Sequence, residues 1–337
     1  MVDLPSPYLL FLGDARSETY AKTAFGLRDW APDAVIGEYA MPEATVTLGL
    51  ERLTPAAAAS RGARALLLGI APVGGAIPAH WLPELVAALE AGLDIVAGLH
   101  QRLADIPELA STAQRLGRTL FDIRHPTVSF STGTGLPRTG KRLLTVGTDC
   151  ALGKKYTALA IAKRWQAIGG NADFRATGQT GIMIAGNGVA IDAVVADFIA
   201  GAVEWLSPAN APDHWDIIEG QGSLYHPAFA GVTLGLLHGA QPDLFVLCHD
   251  PTRTTIYGYP HIPMPDLAEA IALYTQLGRL TNPAIACAGI SINSSKMRGA
   301  ERQNWAARTS DRLGLPVADP LRDGVDVFIQ RMQTVTA

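Results

Sequence analysis

Short apolar runs alternate with helical patterns along nearly the whole sequence. A short apolar run bounded by glycine or a polar residue predicts a buried strand, whereas apolar residues at a 3.6-residue period predict a helix. Before residue 127 the clearest helix is WLPELVAALEAG (81–92), and five strands are predicted: LLFLGD, AVIGEYA, ARALLLGIAPVGG, LDIVAGLH and TLFDIRH. Strands that alternate with helices form parallel sheets with helices on their faces. The chain is therefore predicted to be an α/β protein.

The alternation resumes after a stretch rich in glycine, serine and threonine. Six further strand–helix units are predicted, with the strands RLLTVG, ADFRAT, DIIEG, DLFVLCHD and AIACAGISIN and a last unit at VADPLRDGVDVFIQRM. Their intervening helices are predicted at residues 154–169, 188–207, 224–239, 264–278 and 301–314. A chain of 337 residues is long enough for about two domains. We predict a first domain at residues 1–128, a linker at 129–141 and a doubly wound second domain at 142–337.

The amino-acid composition argues against nucleic acid and membranes as binding partners. The net charge of −4 offers no general basic surface for nucleic acid, and three dispersed cysteines predict neither a disulfide framework nor a metal cluster. The N-terminal apolar run, Tyr8 to Leu12, is far shorter than a signal sequence or a membrane span. We expect a cytoplasmic protein that binds neither nucleic acid nor membrane.

A phosphate-binding loop is predicted where the strand RLLTVG meets the following helix. In Gly147-x5-Gly153-Lys154 the glycines expose backbone N–H groups, the helix presents its positive end, and the lysine adds a charge. The similar pattern Gly135-x4-Gly140-Lys141 precedes a strand instead of following one, and is not predicted to bind phosphate. The candidate ligand-binding residues are Gly147, Thr148, Asp149, Cys150, Ala151, Leu152, Gly153, Lys154, Lys155 and Tyr156.

Lys155 stands where magnesium-dependent phosphate loops place a serine or threonine. The nearest hydroxyl, Thr157, lies two residues further on. The substitution favours binding a phosphate group over cleaving one, and we expect no metal, although Asp149 or Glu219 stays open as a magnesium ligand. Histidines lack metal-site spacing.

Three ordered stretches resemble dethiobiotin synthetase and its amidoligase relatives. They are the loop GTDCALGK, the segment RATGQTGIM and the strand end WDIIEGQGSL. The resemblance implies a P-loop NTPase-like fold, similar to dethiobiotin synthetase, for the second domain.

Six stretches spread along the chain form a recognisable set: IAPVGG followed by Trp81, GLDIVAGLH, DIRHP, GTDCALGK, ATGQTG and EGQGSLYHP. With these stretches the whole chain is similar to the D-glutamate N-acetyltransferase family. This resemblance implies a Rossmann-like first domain joined to a P-loop-like second domain. It also implies transfer of an acetyl group from acetyl-CoA to the amine of D-glutamate, in D-amino-acid catabolism.

Acyl transfer to an amine needs a base, because the amine is mostly protonated at neutral pH. Glu219 is the first candidate base, since burial at a strand end would raise its pKa, and His226 is the alternative. Backbone N–H groups in EGQGS or ATGQTG are candidates for stabilising the oxyanion. Residues predicted to bind the amino-acid substrate are Arg175, Thr177, Gln179, Arg253 and Arg16.

Other functions stay open. An ATP- and magnesium-dependent ligase or kinase of the dethiobiotin synthetase type is the second hypothesis, and a non-catalytic nucleotide sensor is the third. A relay of Cys248, His249 and Asp250 is not expected, because neighbours on a strand point to opposite faces. We expect a homodimer or a higher homo-oligomer.

Overall fold

The computed structural model describes residues 3–126 and 128–336. It divides into two compact units, one formed by the described part of Met1–Thr127 with Gln179–Ala193, the other by Val128–Gly178 with the described part of Val194–Ala337. Residues 179–193, which the sequence assigned to the second domain, thus pack with the first unit. The predicted domain limits at residues 128 and 142 stay a prediction. No helix in the described ranges is long and apolar enough to cross a bilayer.

The first unit contains a parallel five-stranded sheet of strand order β2-β1-β3-β4-β5. Numbered along the chain, its strands are β1 (Tyr8–Gly13), β2 (Val35–Ala40), β3 (Ala65–Leu68), β4 (Asp94–Ala97) and β5 (Leu120–Asp122). Its helices are α1 (Lys22–Trp30), α2 (Pro55–Ser60), α3 (Leu82–Glu90), α4 (Pro107–Leu116) and α6 (Gln179–Ala185). All five predicted strands and the predicted helix α3 are confirmed.

Helix α6 completes the first unit although it follows the phosphate loop in sequence. It packs against α1, where Thr180 and Thr23 share a hydrogen bond of 2.9 Å between their hydroxyl groups. Gly98, just after β4, lies so close to Gln179 that a β-carbon there would sit 2.9 Å from that of Gln179. Glycine at residue 98 therefore makes room for the helix.

The second unit contains a parallel six-stranded sheet of strand order β13-β12-β9-β6-β8-β7. Its strands are β6 (Lys141–Gly147), β7 (Ala172–Arg175), β8 (Trp215–Ile218), β9 (Leu244–His249), β12 (Ala286–Ile292) and β13 (Val317–Ala318), with a separate antiparallel hairpin, β10 (Thr255–Ile256) and β11 (Tyr259–Pro263). Its helices are α5 (Lys154–Ala167), α7 (Ile199–Leu206), α8 (Ala230–Ala240), α9 (Leu267–Gly278), α10 (Gly299–Leu313) and α11 (Asp326–Thr336).

Helices cover both faces of this sheet. On one face, α5 and α11 pack on the strands in a core that contains Val246. Its neighbour Phe245 contacts Tyr274 of α9, with ring centroids 6.0 Å apart. Consecutive strand residues point to opposite faces, so α9 lies on the other face. The predicted doubly wound architecture is confirmed.

Two predicted helices are shorter than expected. The helix expected at residues 188–207 is regular only in α7, because the chain passes from the first unit to the second after Ala193 and forms two short 3-10 turns there. The helix expected at 224–239 begins only at Ala230. Pro227 disfavours helical backbone at His226, which separates residues 224–226 from the helix. Helix α6 and the β10–β11 hairpin were not predicted.

Residues 128–140 have no regular secondary structure, but they pack on the second unit. The carboxylate of Glu204 in α7 accepts hydrogen bonds from the backbone N–H groups of Thr134 and Gly135, at 2.8–3.0 Å. Phe130 meets Trp205 edge to face at 5.6 Å. The stretch predicted as a linker is therefore fixed to helix α7.

Candidate active site

The predicted phosphate loop lies between the carboxyl end of the central strand β6 and the first turn of α5. Gly147 ends β6, and Lys154 begins α5. Between them the backbone is left-handed at Ala151 (φ 55°) and Gly153 (φ 103°). This strand–loop–helix arrangement directs the positive end of α5 towards the loop, as an anion site requires.

Lys154 is buried beneath the loop. Its Nζ donates a hydrogen bond of 2.9 Å to the carbonyl oxygen of Asp149, and burial lowers its pKa. A bound anion would favour the charged lysine. Lys154 thus fits the role of a phosphate-binding cation.

Asp149 anchors the loop to the segment that follows β9. Its buried carboxylate accepts hydrogen bonds at Oδ2 from Arg253 Nη1 (2.5 Å) and from the backbone N–H of Tyr257 (2.8 Å), and at Oδ1 from the N–H of Cys150 (2.6 Å). Arg253 Nη1 also donates to the carbonyl of Cys150, at 2.7 Å. Asp149 is therefore occupied by N–H donors, and magnesium binding would have to displace them.

Within residues 3–126 and 128–336, two groups of side chains have metal-ligand atoms within 4.8 Å of one another: Asp149, Cys150 and His226, and Asp173, His214 and Asp216. In the first group the Arg253 guanidinium bonds the carboxylate, and in the second Arg175 Nε bonds Asp216 at 2.7 Å. A positive charge already satisfies a carboxylate in each group, which opposes cation binding.

The residues that follow Lys154 do not offer a hydroxyl group that could bind magnesium. The ammonium of Lys155 lies 4.6 Å from the ring centroid of Tyr156, and its charge acts to lower the pKa of Glu219. The buried Thr157 hydroxyl shares a hydrogen bond of 2.8 Å with Ser291 and donates one of 3.1 Å to the carbonyl of Gly153. The nearest hydroxyl therefore points into the protein core.

Thr148 and the end of β9 stabilise the loop from below. The hydroxyl of Thr148 lies 3.0 Å from Nδ1 of His249, and the His249 ring stacks on Trp305 with centroids 5.7 Å apart. Burial lowers the pKa of His249 to about 4. The neighbouring Cys248 instead contacts Thr157, at 3.6 Å, and burial raises its pKa to about 11. Cys248 and His249 have separate partners, as expected of strand neighbours.

Glu219 follows β8 directly and is 4 % exposed. Its Oε2 accepts hydrogen bonds from the backbone N–H groups of Thr177 and Gly178, both at 3.0 Å. Burial raises the pKa of Glu219 in spite of these bonds and of the nearby Lys155 charge. A raised pKa is the property expected of a carboxylate that acts as a base.

Close approach of two strand ends explains the glycine after Glu219. A β-carbon at Gly220 would lie 1.6 Å from the carbonyl oxygen of Thr145 in β6, and the Gly220 N–H donates to the Thr145 hydroxyl at 3.0 Å. The absence of a side chain lets β8 end against β6. This contact fixes the position of Glu219.

His226 holds the hairpin in place. Its Nδ1 accepts a hydrogen bond from the N–H of Ala228 (3.2 Å), so the proton lies on Nε2, which donates to the carbonyl of Tyr257 (3.3 Å). Both ring nitrogens are engaged in the described structure. In this arrangement Glu219 fits the role of base better than His226 does.

Of the candidate substrate residues, Thr177 and Arg253 lie with the phosphate loop in the second unit, through their bonds to Glu219 and Asp149. Arg175 reaches back along β7 and β8 to Asp216 (2.7 Å) and Asp173 (2.9 Å), away from the carboxyl ends of the strands. The structure thus places Arg175 in an ion-pair network apart from the loop.

The other two substrate candidates belong to the first unit. Gln179 begins α6 and packs against Gly98, and Arg16 is exposed in the loop after β1. Each unit therefore contains some of the predicted substrate residues.

Several residues near the loop were not singled out from the sequence. The Tyr274 hydroxyl donates to the carbonyl of Gly147 (2.8 Å) and accepts from the N–H of Leu224 (3.1 Å), which ties the loop to the EGQGSL stretch. Tyr257 and Phe229 lie next to His226 and are exposed. Tyr274 sits within an ordinary helical pattern, so only its contacts identify it.

Comparison with known proteins agrees with this architecture. Residues 40–126 match a family model described as the DUF1611_N Rossmann-like domain, and residues 130–329 match one described as the DUF1611_C P-loop domain. The chain resembles a DUF1611 family protein of known structure from Anabaena variabilis, with a TM-score of 0.85, 33 % identity, and coverage of 97 % of this chain and 99 % of the other.

Two curated relatives cover 98 % of this chain and 100 % of their own length. A protein from Tritonibacter scottomollicae is 46 % identical, one from Pseudoalteromonas is 47 % identical, and each is named D-glutamate N-acetyltransferase. The family resemblance stated from the sequence is confirmed. The chain therefore belongs to the DUF1611 family, which joins a Rossmann-like domain to a P-loop domain.

Proposed function

We propose that the protein is an N-acetyltransferase that moves the acetyl group of acetyl-CoA to the amine of D-glutamate. The observation that carries the proposal is the phosphate loop, where Lys155 replaces the magnesium hydroxyl and Thr157 points into the core. Such a loop suits a donor whose phosphates are bound and not cleaved. The names of the two full-length relatives support the same reaction.

The donor's phosphate groups would be held by the loop N–H groups, Lys154 and Lys155. The charge of the two lysines and the positive end of α5 favour an anion here. No phosphoanhydride bond is broken in acetyl transfer, so the reaction needs neither ATP nor magnesium.

Glu219 serves as the base in this proposal. It removes a proton from the ammonium of D-glutamate, and the neutral amine attacks the acetyl carbonyl carbon. The C–S bond then breaks, the nitrogen gives up its second proton to the leaving CoA thiolate, and Glu219 releases the first proton to solvent. Burial raises the pKa of Glu219, which makes its carboxylate a stronger base than an exposed one.

The N–H groups of Thr177 and Gly178 already bond Glu219. We therefore assign the developing oxyanion to backbone groups of residues 221–223. Arg253 is proposed to recognise a carboxylate of the substrate, and a cytoplasmic homodimer or higher oligomer is proposed for the whole protein.

The test is to incubate the protein with D-glutamate and acetyl-CoA, without ATP or magnesium, and to follow thiol release and product mass. L-glutamate serves as the parallel substrate. We expect N-acetyl-D-glutamate, and Lys154→Ala should raise the KM for acetyl-CoA by at least tenfold, since a charge-assisted bond is worth about 1.5–3 kcal/mol.

Lys141→Ala is the matched control, because Lys141 belongs to the second glycine–lysine pattern and lies at the start of β6. It should behave like the wild type. Thermal unfolding checks that both variants fold. ADP release from ATP and magnesium with a carboxylate or amine substrate, without acetyl transfer, would establish the ligase or kinase hypothesis instead.

A further inference from the structure

Two aromatic side chains beside the phosphate loop are unusually exposed. Tyr257, at the turn of the β10–β11 hairpin, is 65 % exposed, and Phe229, just before α8, is 46 % exposed. Gly258, with φ 80°, completes the hairpin turn. Neither exposed ring is needed to form a tight turn or a helix start, where small polar residues are preferred.

The backbone of Tyr257 is fixed to the phosphate loop although its side chain is exposed. Its N–H donates to Asp149 Oδ2 at 2.8 Å, and Arg253 bonds the same oxygen at 2.5 Å. The Arg253 guanidinium lies 5.6 Å from the centroid of the Tyr257 ring. The backbone of Tyr257 is therefore anchored to the loop, and its ring lies next to Arg253.

Phe229 belongs to a group of aromatic residues, His226, Phe229, Tyr257 and Tyr259, which we call the aromatic cluster and which Tyr257 joins through its backbone carbonyl. The His226 ring stacks on Phe229, with centroids 4.5 Å apart, and meets Tyr259 edge to face at 5.1 Å. His226 Nε2 also bonds the carbonyl of Tyr257, at 3.3 Å. These contacts join Phe229 to the hairpin turn.

Resting on the proposed function, we infer that Tyr257 and Phe229 form the stacking surface for the adenine base of the acetyl donor. Exposed aromatic faces bind planar π systems by stacking. Of the two proposed substrates, only acetyl-CoA carries an aromatic ring, because D-glutamate and the pantetheine arm have none. The nucleotide would thus be held at its phosphates by the loop and at its base by the cluster.

The experiment compares Tyr257→Ala, Phe229→Ala and Tyr257→Phe with the wild type. Alanine at either position should raise the KM for acetyl-CoA about 5- to 150-fold with little change in kcat, which corresponds to the usual loss of about 1–3 kcal/mol for one stacked base. Tyr257→Phe keeps the ring and should retain the wild-type KM. Tyr20→Ala, which removes an exposed tyrosine of the first unit, is the matched control.

Two fragments of the donor separate the base from the arm, and their affinities are measured by calorimetry without turnover. Adenosine 3′,5′-bisphosphate carries the base and should bind the alanine variants more weakly by the same factor. 4′-Phosphopantetheine lacks the base and should bind them as it binds the wild type. Equal weakening of both fragments, or of neither, would overturn the stacking assignment.

The proposed function fails separately, if the wild type forms no N-acetyl-D-glutamate. The calorimetric comparison still tests the stacking surface in that case. Circular dichroism and thermal unfolding confirm that each variant is folded before its affinity is compared.

Discussion

Replacing Gly220 with alanine should destabilise the second unit by about 2–4 kcal/mol. The new β-carbon would lie 1.6 Å from the carbonyl oxygen of Thr145, so β8 and β6 would have to separate by about 1.4 Å to reach a 3.0 Å contact. Such overpacking costs about 1–3 kcal/mol, and loss of the Gly220 N–H bond to Thr145 adds about 1 kcal/mol. For a unit of this size, the melting temperature should fall by about 4–16 °C.

The assay is thermal unfolding followed by circular dichroism, with Gly231→Ala as the control. Gly231 lies in the first turn of α8, and a β-carbon there meets no atom within 4 Å. Alanine should leave stability unchanged or raise it by up to about 1 kcal/mol, because alanine favours the helix. Equal melting temperatures for the two variants would refute the steric explanation for glycine at residue 220.

Two further predictions concern titratable groups. Glu219→Gln should lower kcat by about 10²–10⁴-fold and flatten the rise of kcat with pH, because an amide cannot act as a base. A pH–rate profile measures both effects. An unchanged profile would show that another residue is the base. Burial is the main reason that the pKa of His249 is lowered from 6.5 to about 4. The contribution of His249 to the free energy of unfolding is therefore fully present above pH 6.5, and about 3 kcal/mol is lost as the pH falls from 6.5 through 4. His249→Gln should lose correspondingly less stability between pH 7 and 4 in urea unfolding, and an equal loss in both proteins would contradict this origin.

Periodicity was sufficient to predict both parallel sheets. The runs LLFLGD and DLFVLCHD fall mainly in β1 and β9, which are buried along their whole length, as strands covered on both faces are. The loop between β6 and α5 was also predictable, because the pattern Gly147-x5-Gly153-Lys154 follows an apolar strand and precedes a helical pattern.

Contacts between distant residues were not predictable. The pairing of Glu219 with the N–H groups of Thr177 and Gly178 involves backbone atoms about 40 residues away, which no local pattern encodes. The same holds for Arg175, whose residue type fits a substrate carboxylate as well as it fits its actual partner Asp216. The hairpin escaped prediction because Pro260 and Pro263 reduce its strand propensity.

Completion of the first unit by residues 179–193 has a consequence for synthesis on the ribosome. At about 5–20 residues per second, the ribosome needs roughly 3–13 s to pass from residue 127 to residue 193. During this interval the nascent first unit lacks α6, and the surface of α1 around Thr23 is not yet covered by it. The first unit of this chain thus cannot finish folding before residues 128–178 of the second unit have been translated, and a fragment that stops at residue 126 would leave that surface uncovered.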